Sequence, residues 1–154
     1  MMKIVILPRT PTEMISGDIR TTHAVISITD PTSENANLKP NPNRIGTLFL
    51  KFYDIDVLQP VYEEHIEEIY DEYSDGLFNK DQAALILDFV DGIRDKVKNI
   101  LIHCDAGISR SAGVGAALSL IINGSDKEVF NDRRYLPNMF VYRTILNLWQ
   151  DKEQ

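Results

Sequence analysis

Residues 103–111 read HCDAGISRS, and this stretch decides how the rest of the chain is interpreted. The apolar residues Ile100–Ile102 predict a buried strand that ends at Cys104, and the apolar residues after Arg110 predict a helix. The five residues between Cys104 and Arg110 can curl so that their backbone N–H groups point inward, and Gly107 allows the positive φ that such a curl needs. The stretch therefore predicts an anion-binding loop between the carboxyl end of a strand and the amino end of a helix.

The side chains of this loop suit phosphoryl transfer through a cysteine. The helix amino terminus, the inward N–H dipoles and Arg110 all favour the thiolate form of Cys104, which is the nucleophilic form. The planar guanidinium of Arg110 can hold two phosphate oxygens, and the Ser111 hydroxyl can stabilise the thiolate when it leaves in a second step. His103 is expected to order the loop from behind by hydrogen bonding. Backbone contacts to the phosphate are expected from Asp105, Ala106, Gly107, Ile108 and Ser109.

Apolar runs and capping signals divide the chain into elements. Asn79 and Gln82 resemble a capping box at the start of a helix with apolar residues at helical spacing. Asp30–Arg44 is rich in Pro and Asn, which predicts an irregular surface loop. Four apolar runs predict strands: Lys3–Leu7, His23–Thr29, Thr47–Tyr53 and Asn99–Cys104. Further helices are predicted at Arg110–Ile122, at about Asp126–Asp132, and from Asn138 to about Gln150.

The pattern His-Cys-x-x-Gly-x-x-Arg-Ser in residues 103–111 resembles the signature of the protein tyrosine phosphatase superfamily. The small size of the chain resembles the dual-specificity-like branch, and the likeness runs over roughly residues 47–147. It implies an α/β fold: a single three-layer domain whose central sheet has four to five mostly parallel strands flanked by helices, as in phosphotyrosine protein phosphatases. It also implies a reaction without a metal or an organic cofactor.

The composition indicates one soluble globular domain over residues 1–154. The chain is 44% hydrophobic and 25% charged, and no apolar run approaches the roughly 20 residues of a membrane span. A single cysteine is typical of a reducing cytoplasm, and the amino terminus lacks the features of a signal peptide. A net charge of −7 argues against nucleic acid as a partner. We therefore expect a cytoplasmic monomer that binds neither nucleic acid nor membranes.

The resemblance also implies a general acid, an aspartate on a separate loop that protonates the leaving oxygen. The apolar even-numbered residues of the predicted strand Thr47–Tyr53 share one face. Continuing this alternation puts Asp54 on the same side at the end of the strand, which makes Asp54 the first choice. Asp56 is the second choice if the strand ends sooner, and Asp71 and Asp75 stay open as further candidates.

The segment at about residues 56–77 looks like an insertion relative to compact dual-specificity phosphatases, and it has room for a helix at Val61–Tyr73. Residues 54–75 contain nine Asp or Glu and no Lys or Arg, a net charge of −9. The simpler interpretation of the insertion is a solvated acidic helix. The alternative is a lid at the site that favours substrates with basic flanks and repels polyanions.

Together these features predict a phosphatase that acts on phosphotyrosine in proteins through a phosphocysteine intermediate, with phosphoserine and phosphothreonine as further candidate substrates. The loop interior holds Asp105 and no lysine, whereas members that act on phosphoinositides tend to be basic there. Two alternatives stay open. One is a phosphatase for a non-protein phosphoester, and the other is a non-catalytic phosphate-binding module.

Overall fold

Four parallel strands form one sheet in the computed structural model, which describes residues 1–153. The strands lie in the order β1-β4-β2-β3, so β4 is flanked on both sides. Its apolar residues Ile100–Ile102 are all buried, as is usual for a parallel strand covered on both faces. The strands are β1 (Lys3–Pro8), β2 (His23–Thr29), β3 (Arg44–Lys51) and β4 (Asn99–Cys104).

Helices cover both faces of the sheet and give the three-layer α/β domain that the sequence predicted. The helices α3, α4 and α6 share one apolar core with the sheet, while α1 packs on β1 and β4. Residues Ile15 and Ile19 lie beside Val5 and Leu101 there. The helices are α1 (Arg9–Ile15), α2 (Ile66–Tyr73), α3 (Lys80–Ile93), α4 (Arg110–Asn123), α5 (Lys127–Phe130) and α6 (Met139–Lys152). The predicted fold class is confirmed.

The third strand ends earlier than its apolar pattern suggested. β3 stops at Lys51, because Phe52 pairs only through its N–H with the Thr29 carbonyl, and Tyr53 N–H turns to the Gly76 carbonyl (2.7 Å). The predicted end at Tyr53 was wrong for this reason. The Asn79 side chain caps α3 as predicted. Gln82 donates its side-chain N–H to the Lys51 carbonyl (2.9 Å), and its Oε1 accepts no hydrogen bond among residues 1–153, so the reciprocal bond of a capping box is absent.

Two short helices replace the single helix expected at Val61–Tyr73 in the insertion. A 3₁₀ helix covers Pro60–His65, and α2 follows it. Ile69 of α2 is buried in a small apolar cluster with Val57 and Leu77, which anchors the insertion beside the main core. No helix among residues 1–153 is both long enough and apolar enough to cross a bilayer.

Helix α4 is buried along most of its length. It needs a small residue at the point where the start of α6 packs against it. Residues Arg110–Ser119 are all buried between the sheet and its neighbours. A Cβ added at Gly113 would lie 2.6 Å from the Asn138 carbonyl oxygen, whereas one added at Gly92 of α3 would meet nothing within 4 Å. Both glycines thus lie within helices, but Gly113 is tightly packed against backbone and Gly92 has open space around it.

Alanine substitution at these two glycines should change stability in opposite directions. Gly113→Ala should lower the free energy of unfolding by about 1–3 kcal/mol, because the methyl group overlaps backbone. Gly92→Ala should raise it by about 0.5–1 kcal/mol through helix propensity alone. Urea unfolding of both variants beside wild type measures the difference. A gain in stability for Gly113→Ala would contradict the packing described for α4 and α6.

Candidate active site

Cys104 ends the central strand β4, with its sulfur at the carboxyl edge of the sheet. The residue is 2% exposed, and the sulfur lies 3.1 Å from the Ser111 hydroxyl oxygen. Pro8, at the end of β1, is paired with Cys104 in the sheet register. Cys104 and its hydroxyl neighbour are therefore held by two rigid elements, β4 and α4.

Three carbonyl groups of the loop after Cys104 are turned outward. The Asp105 carbonyl accepts from Arg9 N–H (3.1 Å), the Ile108 carbonyl from Leu136 N–H (2.9 Å), and the Ser109 carbonyl from the N–H groups of Gly113 and Asn138. Every peptide bond in residues 1–153 is trans, and in a trans peptide the N–H points away from the preceding C=O. The N–H groups that follow these three carbonyls therefore point to the inside of the loop, as an anion site requires.

Gly107 lets the loop lie against the first strand. Its φ is +67°, in the left-handed region, and a Cβ there would stand 2.5 Å from the backbone nitrogen of Pro8. Both facts require glycine at this position. The curl that the sequence predicted around Gly107 is therefore present, and β1 supports it from outside.

Arg110, at the amino end of α4, reaches across the sheet edge. Its Nη1 donates to Asp30 Oδ1 (2.6 Å) and to the Phe52 carbonyl (2.8 Å), and the residue is only 5% exposed. Its Nη2 stands 3.6 Å from Asp105 Oδ2, and its Nε is buried with no acceptor among residues 1–153. One edge of the guanidinium is thus held by the protein, while two donors are left for a ligand.

Asp54 lies over the loop although the strand before it ends early. Its Oδ1 accepts from the Ser109 hydroxyl (2.8 Å) and from the side-chain amide of Asn138 (3.1 Å). The same Asn138 uses its amide oxygen to cap α6 at Val141 N–H. Asp54 is exposed, so a substrate bound in the loop can reach it.

Asp56 has a different environment from Asp54. It is buried, and its carboxylate accepts from the backbone N–H groups of Leu58, Met139 and Phe140. These bonds tie the start of the insertion to the amino end of α6, where a negative charge is stabilising. Asp71 and Asp75 lie exposed on α2 and on the 3₁₀ turn Ser74–Gly76. Of the four candidate acids, only Asp54 hydrogen-bonds to the loop in the described residues.

His103 supports the loop from the buried side. Its Nδ1 lies 3.4 Å from the Cys104 carbonyl, and its Nε2 lies 2.6 Å from the Ser27 hydroxyl. Since a carbonyl can only accept, Nδ1 carries the proton and Nε2 accepts from Ser27. Burial lowers the pKa of His103 below its usual 6.5, which keeps the ring neutral.

One site residue was not predicted from the sequence. Asp30 holds Arg110, although it was assigned to a surface loop. Asn138, for which helix capping was the preferred interpretation and support of the loop the alternative, caps α6 and also holds Asp54. Asp30 directly follows β2, the parallel neighbour of β4, and this was the available signal. The carboxyl ends of parallel strands meet at one edge of the sheet, where ligands bind.

Comparison with known proteins bears on the fold. No family model matches the chain, and no curated protein matches it in sequence. The human tyrosine phosphatase-like serine/threonine/tyrosine-interacting protein superposes with a TM-score of 0.58 at 20% identity, over 98% of this chain and 93% of that one. The chain has the fold of the tyrosine and dual-specificity phosphatases.

Two further structures share this phosphatase fold. PTPMT1 in complex with PI(5)P gives a TM-score of 0.57 at 13% identity, over 97% of this chain and 91% of that one. Tk-PTP in its active form gives 0.55 at 15% identity, over 96% and 92%. At these identities the likeness concerns the backbone arrangement, so the chemistry of this chain has to be judged from its own side chains.

Because burial lowers its pKa, the neutral His103 ring contributes to the stability of the fold, and this contribution is lost at acidic pH. Below about pH 6.5 the unfolded chain takes up a proton that the folded chain resists, so the free energy of unfolding falls as the pH drops from 6.5 towards the lowered folded-state pKa. His103→Gln should be less stable than wild type at pH 7.5 but should lose less stability between pH 7.5 and 5.5. Urea unfolding at the two pH values measures this, with the exposed His65→Gln as control. Equal losses in wild type and His103→Gln would refute the assignment.

Proposed function

We propose that this chain is a cysteine-dependent phosphatase for phosphotyrosine in proteins, with phosphoserine and phosphothreonine as further substrates. The observation that carries the proposal is the convergence of the Cys104 sulfur, the inward N–H groups of the loop and two unengaged donors of Arg110. A nucleophile at the centre of anion-binding donors is what displacement at phosphorus needs.

The proposed reaction has two displacement steps. The Cys104 thiolate attacks phosphorus and forms a P–S bond as the ester P–O bond breaks, while Arg110 and the loop N–H groups stabilise the equatorial oxygens. Asp54 gives a proton to the departing oxygen. Water then attacks the phosphocysteine, Asp54 takes a proton from it, and the thiolate leaves with a hydrogen bond from Ser111. The scheme uses no metal and no organic cofactor.

Asp54 is preferred to Asp56 because a bound substrate can reach it and because its carboxylate makes fewer hydrogen bonds to the protein. Asp54 is exposed above the loop, and both of its hydrogen bonds fall on Oδ1, so Oδ2 has no partner among residues 1–153. Asp56 already accepts three backbone N–H groups in a buried position. A carboxylate buried in this way is out of reach of a substrate bound in the loop.

The charges around the site support a protein substrate over a polyanionic one. Asp105 stands beside Arg110, and the insertion next to Asp54 carries exposed carboxylates, among them Glu63, Glu64, Glu67 and Glu68. These negative charges disfavour phosphoinositides and other polyphosphates. We further propose that the protein is a monomer in the cytoplasm; the single cysteine, which lies inside the site and leaves none for a disulfide, supports the cytoplasm as its compartment.

Turnover should depend on the thiol of Cys104. Wild type should hydrolyse para-nitrophenyl phosphate, and Cys104→Ser should lose at least about 10³-fold in kcat while still binding inorganic phosphate, because the loop N–H groups and Arg110 remain. Steady-state kinetics and calorimetry measure the two quantities. Binding without turnover in wild type would show instead a non-catalytic phosphate-binding module.

The two neighbouring aspartates should differ in how they respond to the leaving group. Asp54→Ala should lose about 10²–10⁴-fold in kcat on phosphotyrosine peptides and far less on para-nitrophenyl phosphate, whose leaving group needs little protonation. Asp56→Ala should instead lower the melting temperature, and it should affect the two substrates equally. The ratio of kcat between the substrates is the measurement, and a larger change in this ratio for Asp56→Ala would reverse the assignment.

A further inference from the structure

Two aspartates contact Arg110, and they do so through different nitrogens. Asp30 Oδ1 accepts from Nη1 at 2.6 Å, while Asp105 Oδ2 lies 3.6 Å from Nη2, beyond ordinary hydrogen-bond distance. Both carboxylates carry a charge of the same sign as a phosphate. Their effects on phosphate binding therefore depend on geometry, and the two geometries differ.

Asp30 acts on the side of the guanidinium that faces the protein. Nη1 has two acceptors, Asp30 and the Phe52 carbonyl at 2.8 Å, and both approach one nitrogen of a rigid planar group. Because the other end of the side chain starts at the first residue of α4, fixing Nη1 also fixes where Nε and Nη2 point. Without Asp30 the buried cation would lose its close counter-charge and its orientation.

Asp105 acts on the side that is left for a ligand. Its carboxylate is 45% exposed and follows Cys104 directly, inside the phosphate loop. It approaches Nη2, one of the two donors that the protein does not use, the other being the buried Nε. A bound phosphate needs these same donors, so the Asp105 carboxylate competes with it.

We propose that Asp30 is a positioning residue, which holds Arg110 ready for phosphate, and that Asp105 is a competing carboxylate, which turns away from Nη2 when phosphate binds. The proposal rests on the proposed function in taking a phosphate monoester as the ligand. It assigns opposite effects to two aspartates that touch one guanidinium. A purely electrostatic account makes a different prediction, because removing either negative charge would then strengthen anion binding.

The test compares Asp30→Ala, Asp30→Asn and Asp105→Asn with wild type, and uses Asp88→Asn as a control. Asp88 is 73% exposed, and its one ion pair among residues 1–153 is with the half-exposed Lys152, so its neutralisation reports the effect of removing one surface charge. The Kd of inorganic phosphate is measured by calorimetry, kcat and KM with para-nitrophenyl phosphate, and folding by the melting temperature.

Asp30→Ala should weaken phosphate binding by about tenfold or more, as expected for the loss of a charge-assisted hydrogen bond. It should lower kcat more than it raises KM, since Arg110 is needed most in the transition state. Asp30→Asn keeps an acceptor for Nη1 and should recover much of the loss. Asp105→Asn should strengthen phosphate binding by about 2–5-fold, the range for a partly screened charge, and should lower KM.

Phosphate binding by Asp30→Ala at or above the wild-type level would overturn the positioning role, and weaker binding by Asp105→Asn would overturn the competing role. Failure of wild type to bind phosphate at all would overturn both. If wild type binds phosphate but does not turn over para-nitrophenyl phosphate, the proposed phosphatase function fails. The binding series still decides the two roles in that case, because it needs no turnover.

Discussion

The outward hydrogen bonding of the loop carbonyls is the constraint on which the site depends. A short curl of backbone has no regular hydrogen-bond ladder. Its N–H groups face inward only if groups outside the loop donate hydrogen bonds to its carbonyls. The fold supplies the outside donors from three places: the start of α1 at Arg9, the segment before α6 at Leu136 and Asn138, and the first turn of α4 at Gly113. Helix α4 then places Arg110 at the same opening, where the loop N–H groups converge.

The segment after β3 links the proposed acid to the scaffold. Asp54 and Asp56 are two residues apart, yet one hydrogen-bonds to the loop and the other holds the first N–H groups of α6. Asn138 joins the same arrangement, because it caps α6 with one end of its amide and holds Asp54 with the other. The start of α6 therefore sets the position of the proposed acid relative to the loop. It also fixes the first residue of the acidic insertion, Asp56.

Features formed by residues that are close in sequence could be predicted, whereas features formed by distant residues could not. The loop from Cys104 to Ser111 is contiguous, so its strand, curl and helix could all be predicted, and the bounds of β2 and β4 match the expected ones. The end of β3 could not, because Phe52 continues the apolar alternation while its backbone has left the ladder. Asp54 nevertheless reaches the loop, through Asn138 and Ser109 and not through strand alternation. The contact between Asp30 and Arg110 joins residues 80 positions apart, and no local pattern reports it.

The pairing of Pro8 with Cys104 has a consequence for how the protein acquires its site. Strand β1 comes first in the chain and packs against the last strand, and the residues that hold the loop from the other side precede α6, the last helix. Contacts between residues this distant in sequence form late in folding, because the intervening chain loses its entropy before these contacts compensate for the loss. The loop is thus completed only when β1 and the segment before α6 have docked, so a partly folded or truncated molecule carries Cys104 without the groups that surround it in the folded protein.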